Sequence, residues 1–273
     1  MTRAALVTGA AAGIGRAVAL GAARRGFAVV ATDVDRAGLG SLRDELVAGG
    51  HMVDVLAGDV AVAADVEAVV DLAFTRHGRI DLLVNNAAIE ATGYAWSTSE
   101  AQWRRMLEVN VLGVVHGLSA AVPRMLEQGG DPAAVVNVAS LAALASGPVR
   151  QAAYNASKHA VLGLSECLRL DLDEVGSDIG VHVVLPGPVD SGIFDVAVAA
   201  DTASDAYREE LSSYVRAEGL STEAAADALF GGVDAGSFWI TTHPGLFATF
   251  ADRRARLLTE QERPVAIPIG TRG

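Results

Sequence analysis

Short apolar runs recur along this chain, separated by longer stretches with helical periodicity. The runs fall at 4–8, 27–32, 52–57, 80–84, 133–139, 179–185 and 237–241. The helical patterns fill 14–25, 36–48, 62–77, 99–127, 153–175, 203–217 and 222–230. Runs such as Val29-Val30-Ala31 and Val181-His182-Val183-Val184-Leu185 are almost wholly apolar, as strands covered on both faces must be. Such alternation predicts an α/β fold: a doubly wound parallel sheet of about seven strands, helices on both faces, right-handed crossovers. No linker or internal repeat interrupts it, so residues 1–273 read as a single domain.

Composition excludes several classes. Hydrophobic residues make up 51% and charged residues 20%, which suits a buried core and not a disordered chain. A net charge of −12 argues against a nucleic-acid partner. Arg3 and Ala17-Val18-Ala19 mimic a signal peptide, but Gly9, Gly13 and Gly15 break the apolar core such a signal needs. Every stretch of membrane-spanning length contains Gly, Pro or charge, so no membrane association is expected. Cys167, the only cysteine, precludes an internal disulfide, fits a cytoplasmic location, and is expected to pack in the core.

The first apolar run closes on Thr8-Gly9-Ala10-Ala11-Ala12-Gly13-Ile14-Gly15. Glycines at a strand-to-helix turn allow tight turning and close approach of a pyrophosphate to a helix N-terminus. Asp33 ends the second run, where a carboxylate accepts from adenosine ribose hydroxyls and repels a 2′-phosphate. Neither Ala12 nor Val34 offers a cation, so NAD is expected; Arg36 keeps NADP as the alternative. Tyr154 and Lys158 lie four apart on a predicted helix and share a face. The ammonium is expected to lower the phenol's pKa; the plain alternative is an amphipathic helix pair.

Together these residues resemble the short-chain dehydrogenase/reductase family from about residue 4 to 191, which implies a Rossmann-like fold. The glycine run is similar to its Thr-Gly-x-x-x-Gly-x-Gly. Asp59-Val60 resembles its adenine-binding pair, Asn85-Asn86-Ala87-Ala88 its Asn-Asn-Ala-Gly, and Pro186-Gly187-Pro188-Val189-Asp190-Ser191 its Pro-Gly-x-Val-x-Thr. The resemblance implies that Gly9, Ala12, Gly13, Ile14, Gly15, Asp33, Asp59, Val60, Asn86, Ala87, Tyr154, Lys158, Pro186, Gly187, Val189 and Ser191 bind the cofactor. It also implies Asn110, Ser140, Tyr154 and Lys158 as the catalytic set: Tyr154 as acid/base, Lys158 on the nicotinamide ribose, Ser140 on the substrate oxygen, and Asn110 on a water linking Lys158 to solvent. Three departures stand out. Ala88 replaces Gly, Ser191 replaces Thr but keeps the hydroxyl, and Ser237 to Pro244 replaces the usual strand and Asp-Gly-Gly segment. A homodimer or homotetramer pairing helices 99–127 and 153–175 is implied, with the C-terminal tetramer contact in doubt.

Substrate-binding residues are expected at Ile89, Ser140, Leu141, Gln151, Tyr154 and Phe194. With Glu90, Ala142, Pro188 and Ile193 they form an apolar rim that lacks a cation, so a small, largely apolar secondary alcohol or ketone is expected. Glu90 and Gln151 are available for one polar group. Tyr94, Trp96 and Trp103 either wall the pocket or pack elsewhere. Segment 190–220 is read as a substrate lid, against the alternative of a surface helix pair. The tail 264–273 is expected to run extended or disordered unless a partner subunit holds it. The histidines lack metal-ligand spacing, no metal is expected, and His243 before Pro244 reads as a turn residue. Alternatives are an NADP-dependent carbonyl reductase and a dinucleotide sensor without turnover.

Overall fold

A computed structural model describes residues 2–130, 133–144, 149–266 and 268–270. Among them the strands, in chain order, are β1 (Ala4–Thr8), β2 (Ala28–Asp33), β3 (Val53–Ala57), β4 (Leu82–Asn85), β5 (Ala91–Thr92), β6 (Ala134–Val138), β7 (Gly180–Leu185), β8 (Val198–Ala199) and β9 (Trp239–Thr241). The helices are α1 (Gly13–Arg24), α2 (Arg36–Ala48), α3 (Ala63–His77), α4 (Glu100–Leu107), α5 (Gly113–Glu127), α6 (Ala152–Glu174), α7 (Thr202–Glu218), α8 (Thr222–Asp234) and α9 (Pro244–Thr259). All seven apolar runs form strands of one parallel sheet, ordered β3-β2-β1-β4-β6-β7-β9.

Alternate residues of each strand feed two cores. Val7, Val29, Ala31, Val84 and Val136 face α1, α2 and α8, meeting Val18, Leu42, Leu46 and Leu229. Leu6, Val30, Leu83, Val135 and Val183 face α3, α5 and α6, meeting Val69, Leu118, Val161 and Leu172. Helices on both faces explain why the strands lack polar alternation. Burying each such side chain is worth about 1.5–3 kcal/mol. Strand order reverses between β1 and β4, so a crevice opens at their carboxyl ends, where ligands enter sheets of this kind.

The structure corrects or extends several expectations. Cys167 is exposed, not packed in the core. The inward face of α6 carries Lys158, Val161, Ser165 and Leu172. Cys167 lies two residues past Ser165, about 200° round the helix. The pattern 99–127 is interrupted by a π-helical turn, Glu108–Leu112, between α4 and α5. By length and composition the run Glu100–Glu127 is apolar enough to cross a membrane, and half of its most apolar window is buried. Two features had no sequence expectation. The β5–β8 pair is two residues deep, too short to show a period. Helix α9 buries no residue fully, so its apolar stripe is faint, although Pro244 at its first turn is a start signal.

Leu83 sits at the centre of the second core with no exposed surface. Leu83→Ala is expected to cost about 2–5 kcal/mol in urea unfolding. A loss below about 1 kcal/mol would show that this core is not close-packed.

Candidate active site

The crevice holds a cleft of about 770 Å³ that joins the β1–α1 turn, the end of β2 and the loops after β4, β6 and β7. At one end Gly9 adopts φ +65°, and a Cβ there would come within 2.7 Å of Ala87 Cα. A Cβ on Gly15 would come within 2.1 Å of the Gly9 carbonyl oxygen, so α1 starts pressed against the turn. Ala12 is the N-cap of α1 and offers no side-chain acceptor. The first N–H groups of α1 are thus left for an anion. The turn is clasped to β4: Thr8 Oγ1 accepts from the N–H groups of Asn86 (3.0 Å) and Ala87 (3.1 Å), and Asn86 Nδ2 donates to the Thr8 and Gly9 carbonyls. This is a cradle with glycine clearance and free N–H donors, and it fits a dinucleotide pyrophosphate.

Asp33 sits beside the cradle. Its Oδ2 accepts from Ala11 N–H and its Oδ1 from Asp35 N–H, both at 3.0 Å, which fixes the carboxylate toward the cleft. Val34 and Asp35 line the same wall, and Arg36 does not. Arg16 is turned away onto Glu45 at 2.7 Å and the Gly38 carbonyl. Two carboxylates stand where a 2′-phosphate would need a cation.

At the other end Ser140, Tyr154 and Lys158 converge. Ser140 ends the β6 segment in extended conformation, and its Oγ accepts from Ala142 N–H at 3.1 Å. The Tyr154 hydroxyl hydrogen-bonds Ser140. Lys158, 2% exposed, donates to the Val138 carbonyl at 2.9 Å, with Nζ 5.6 Å from the Tyr154 ring centroid. Asn110 lies in the π-helical turn, an irregularity that often marks functional sites. It is buried; its Oδ1 accepts from Ile89 N–H at 2.8 Å, and its Nδ2 donates to Ile89 O and Ser157 Oγ. It thereby ties the β4–β5 loop to α6, and these side-chain bonds do not involve Lys158.

Burial governs the ionisation of this end. The Tyr154 phenol is pushed above its usual value by burial, then by the charge of Glu90, while the Ser140 bond pulls it back. The expectation that Lys158 lowers the phenol is not met here. Burial depresses the ammonium itself to about 8, opposed by Glu90. Burial and the Glu90 charge decide the direction at Tyr154, while the Lys158 ammonium is held on the Val138 carbonyl.

Most expected site residues meet at the cleft. Gly9, Ala12, Gly13, Ile14, Asp33, Asn86, Ala87, Pro186, Gly187, Val189 and Ser191 line it, as do Ile89, Ser140, Leu141, Gln151, Tyr154, Lys158 and Phe194. Gly15, Asp59, Val60 and Asn110 lie behind the lining. Asp59 pairs with Arg105 at 2.8 Å, and Val60 packs with Val66 and Val109. Trp96 stacks on Tyr94 but is 83% exposed, and Trp103 packs near Met106. His243 is the N-cap of α9, in line with a turn residue, and its ring packs on Gly187.

Sequence reasoning assigned no individual residue to the far wall, part of which falls in the segment 190–220 read as a lid. Leu211, Tyr214 and Val215 come from α7, Leu246 and Phe250 from α9, and Pro268, Ile269 and Gly270 from the tail. The α7 residues have helical i, i+3, i+4 spacing, a usable signal. The tail has none. Residues 264–266 lack regular structure, and Val265 O accepts from Arg253 at 2.5 Å. Residues 268–270 nevertheless return to the cleft, whereas 267 and 271–273 lie outside the described residues.

A parallel sheet whose strand order reverses beneath a dinucleotide cradle, with Ser, Tyr and Lys at the cleft's far end, defines a nicotinamide-dependent oxidoreductase site. Comparison with known proteins agrees. The family model described as short chain dehydrogenase matches residues 3–201, and this chain belongs to that family. A CLA biosynthesis dehydrogenase/reductase of Lactiplantibacillus plantarum is 32% identical over 97% of this chain and 96% of its own. A 1-deoxy-11-beta-hydroxypentalenate dehydrogenase of Streptomyces avermitilis is 35% identical over 93% of this chain and 86% of its own. A short chain dehydrogenase/reductase of Burkholderia phymatum, solved in complex with NAD, has a TM-score of 0.91 and 35% identity over 99% of this chain and 98% of its own.

Two outcomes are expected. Gly9→Ala places a methyl against Ala87 and should weaken NADH binding at least about ten-fold, or ~1.4 kcal/mol, by nicotinamide fluorescence. Unchanged affinity would remove the turn from the cofactor site. Lys158 has a folded pKa below its unfolded value, so between pH 8 and 10.5 the unfolded chain binds more protons and stability rises with pH. Lys158→Met should therefore raise the melting temperature at pH 7, with the gain shrinking above pH 8. A pH-independent gain would contradict the burial account.

Proposed function

We propose that this chain is an NAD-dependent dehydrogenase of small, largely apolar secondary alcohols, equally able to reduce the matching ketones. The observation that carries this is the cleft itself, with a carboxylate-flanked dinucleotide cradle at one end and a Ser-Tyr-Lys group in apolar walls at the other. Lys158 is the one cation lining it among the described residues, so a phosphate or carboxylate substrate finds no partner beyond the catalytic group. Asp33 and Asp35 favour NAD over NADP. The Burkholderia phymatum structure holds NAD, and the Streptomyces avermitilis relative is named for a hydroxylated substrate.

Bound nicotinamide supplies the hydride acceptor. Ser140 holds the substrate oxygen. Tyr154 takes the hydroxyl proton in oxidation and returns one in reduction. Lys158 steadies the ribose side of the cleft. Asn110 acts as a positioning residue, through Ile89 and Ser157. Residues 190–220, whose Phe194 and Tyr214 face the cleft, serve as its lid. Exposed Leu107, Leu112, Leu126 and Leu170 on the helical surfaces 100–127 and 152–174 support a homodimer or homotetramer.

NADH formation from NAD across apolar and polar secondary alcohols, beside Tyr154→Phe, tests this reading. Activity is expected with an apolar carbinol group, falling by about 10²–10⁴ in the variant while NAD still binds. Because the phenol is held high, oxidation should climb through pH 7–9 as phenolate forms, and reduction should persist across that range. Faster turnover of polyols or acyl-carrier-linked ketones, or an active Tyr154→Phe, would overturn it.

A further inference from the structure

One ionisable group faces the cleft with no part in the chemistry above. Glu90 follows Ile89 at the end of β4's loop and is only 3% exposed. Its Oε1 accepts a long hydrogen bond, 3.2 Å, from Ala91 N–H. Its Oε2 is buried and completes no hydrogen bond, and the residue lines the cleft together with Tyr154 and Gln151. None of the ion pairs among the described residues includes Glu90. Lys158 attracts it only at a distance, since its ammonium is spent on Val138 O.

A carboxylate in that position would be a buried charge held by one long backbone hydrogen bond and no ion pair, an unfavourable state. The neutral acid is the form this surrounding favours. Burial raises the Glu90 pKa well above the usual range, against the lowering pull of Ala91 N–H, Lys158 and the Gln151 side chain. The groups facing it from α6 and α7 agree. An ionised Glu90 would push the phenols of Tyr154 and Tyr207 further up, working against proton transfer at Tyr154. Arg150, the nearby guanidinium, is committed to Tyr94 and the Ala203 carbonyl. A neutral acid brings an O–H to the cleft wall, where the Gln151 amide is its side-chain neighbour and Oε2 completes no hydrogen bond within the protein. A polar hydrogen in that state is costly unless a ligand supplies the acceptor.

We propose that Glu90 is a substrate-recognition residue whose buried carboxylic acid donates a hydrogen bond to a second, neutral oxygen of the substrate. This rests on the dehydrogenase reading and narrows it. The preferred substrates are apolar secondary alcohols or ketones with a further carbonyl, hydroxyl or ether oxygen remote from the reacting carbon. The Gln151 amide, on the same wall, completes the recognition. Sites that hydrogen-bond one substrate group reject analogues lacking it, because their own polar groups are then left unpaired.

The test compares mono-oxygenated carbinols with neutral analogues carrying a ketone at increasing distance from the carbinol, in the wild type, Glu90→Leu and Glu90→Gln. In the wild type at least one keto-carbinol should exceed its mono-oxygenated partner by about 10–100-fold in kcat/KM. Glu90→Leu should bring that ratio to within about three-fold of unity, and Glu90→Gln, which keeps an N–H donor, should retain most of it. A wild-type ratio near one for every pair overturns the proposal whether or not Glu90→Leu folds. So does a Glu90→Leu enzyme that loses both activities equally. NADH formation from no secondary alcohol would instead sink the dehydrogenase reading, a visibly different result.

Discussion

Thr8 and Asn86 hold the ends of β1 and β4 together at the point where the strand order reverses. One hydroxyl accepts two backbone N–H groups, and one amide donates to two carbonyls. The parallel sheet leaves these carboxyl ends side by side, and the clasp keeps the glycine turn over them. Everything at the site is placed relative to that clasp. Gly9 lies against Ala87 across the gap, α1 starts from the turn, and the residues after Asn86 run on into Ile89 and Glu90. Asn110 then carries the same frame to α6 by gripping Ile89 and Ser157, one residue before Lys158.

The chemical end of the cleft is built at a cost in electrostatics. A lysine and a glutamate nearly closed to water share this end of the cleft with a half-buried tyrosine. Burial pushes all three toward neutrality, the ammonium down and the two acids up. A group poised to exchange protons needs that loosened hold on charge, and such clustering of perturbed groups is what functional sites show. The buried polar ladder behind it, Asn85 to Asn137 to Ser165, links β4, β6 and α6 through side-chain hydrogen bonds.

The seven principal strands were legible because a sheet covered on both faces leaves unbroken apolar runs. The cradle and the Ser-Tyr-Lys group were legible because their backbone and side-chain demands fall on neighbouring residues. What escaped was set by distant packing. Cys167 was misplaced because a residue's face depends on the helix's contacts, not on its distance from Lys158. Asp59 and Val60 are outside the cleft lining, the first paired with Arg105 and the second packed with Val109, contacts that only the fold brings about. The tail's return to the cleft has no periodic trace, and burial and Glu90, which raise the Tyr154 phenol, depend on packing that spacing does not show.

Crystallography of the chain grown with NAD tests the central claim most directly. The account predicts the pyrophosphate over the Gly9–Gly13 turn, the adenosine ribose on Asp33, and the nicotinamide facing Ser140, Tyr154 and Lys158. A dinucleotide bound elsewhere, or a nicotinamide ring turned away from Tyr154, would contradict it.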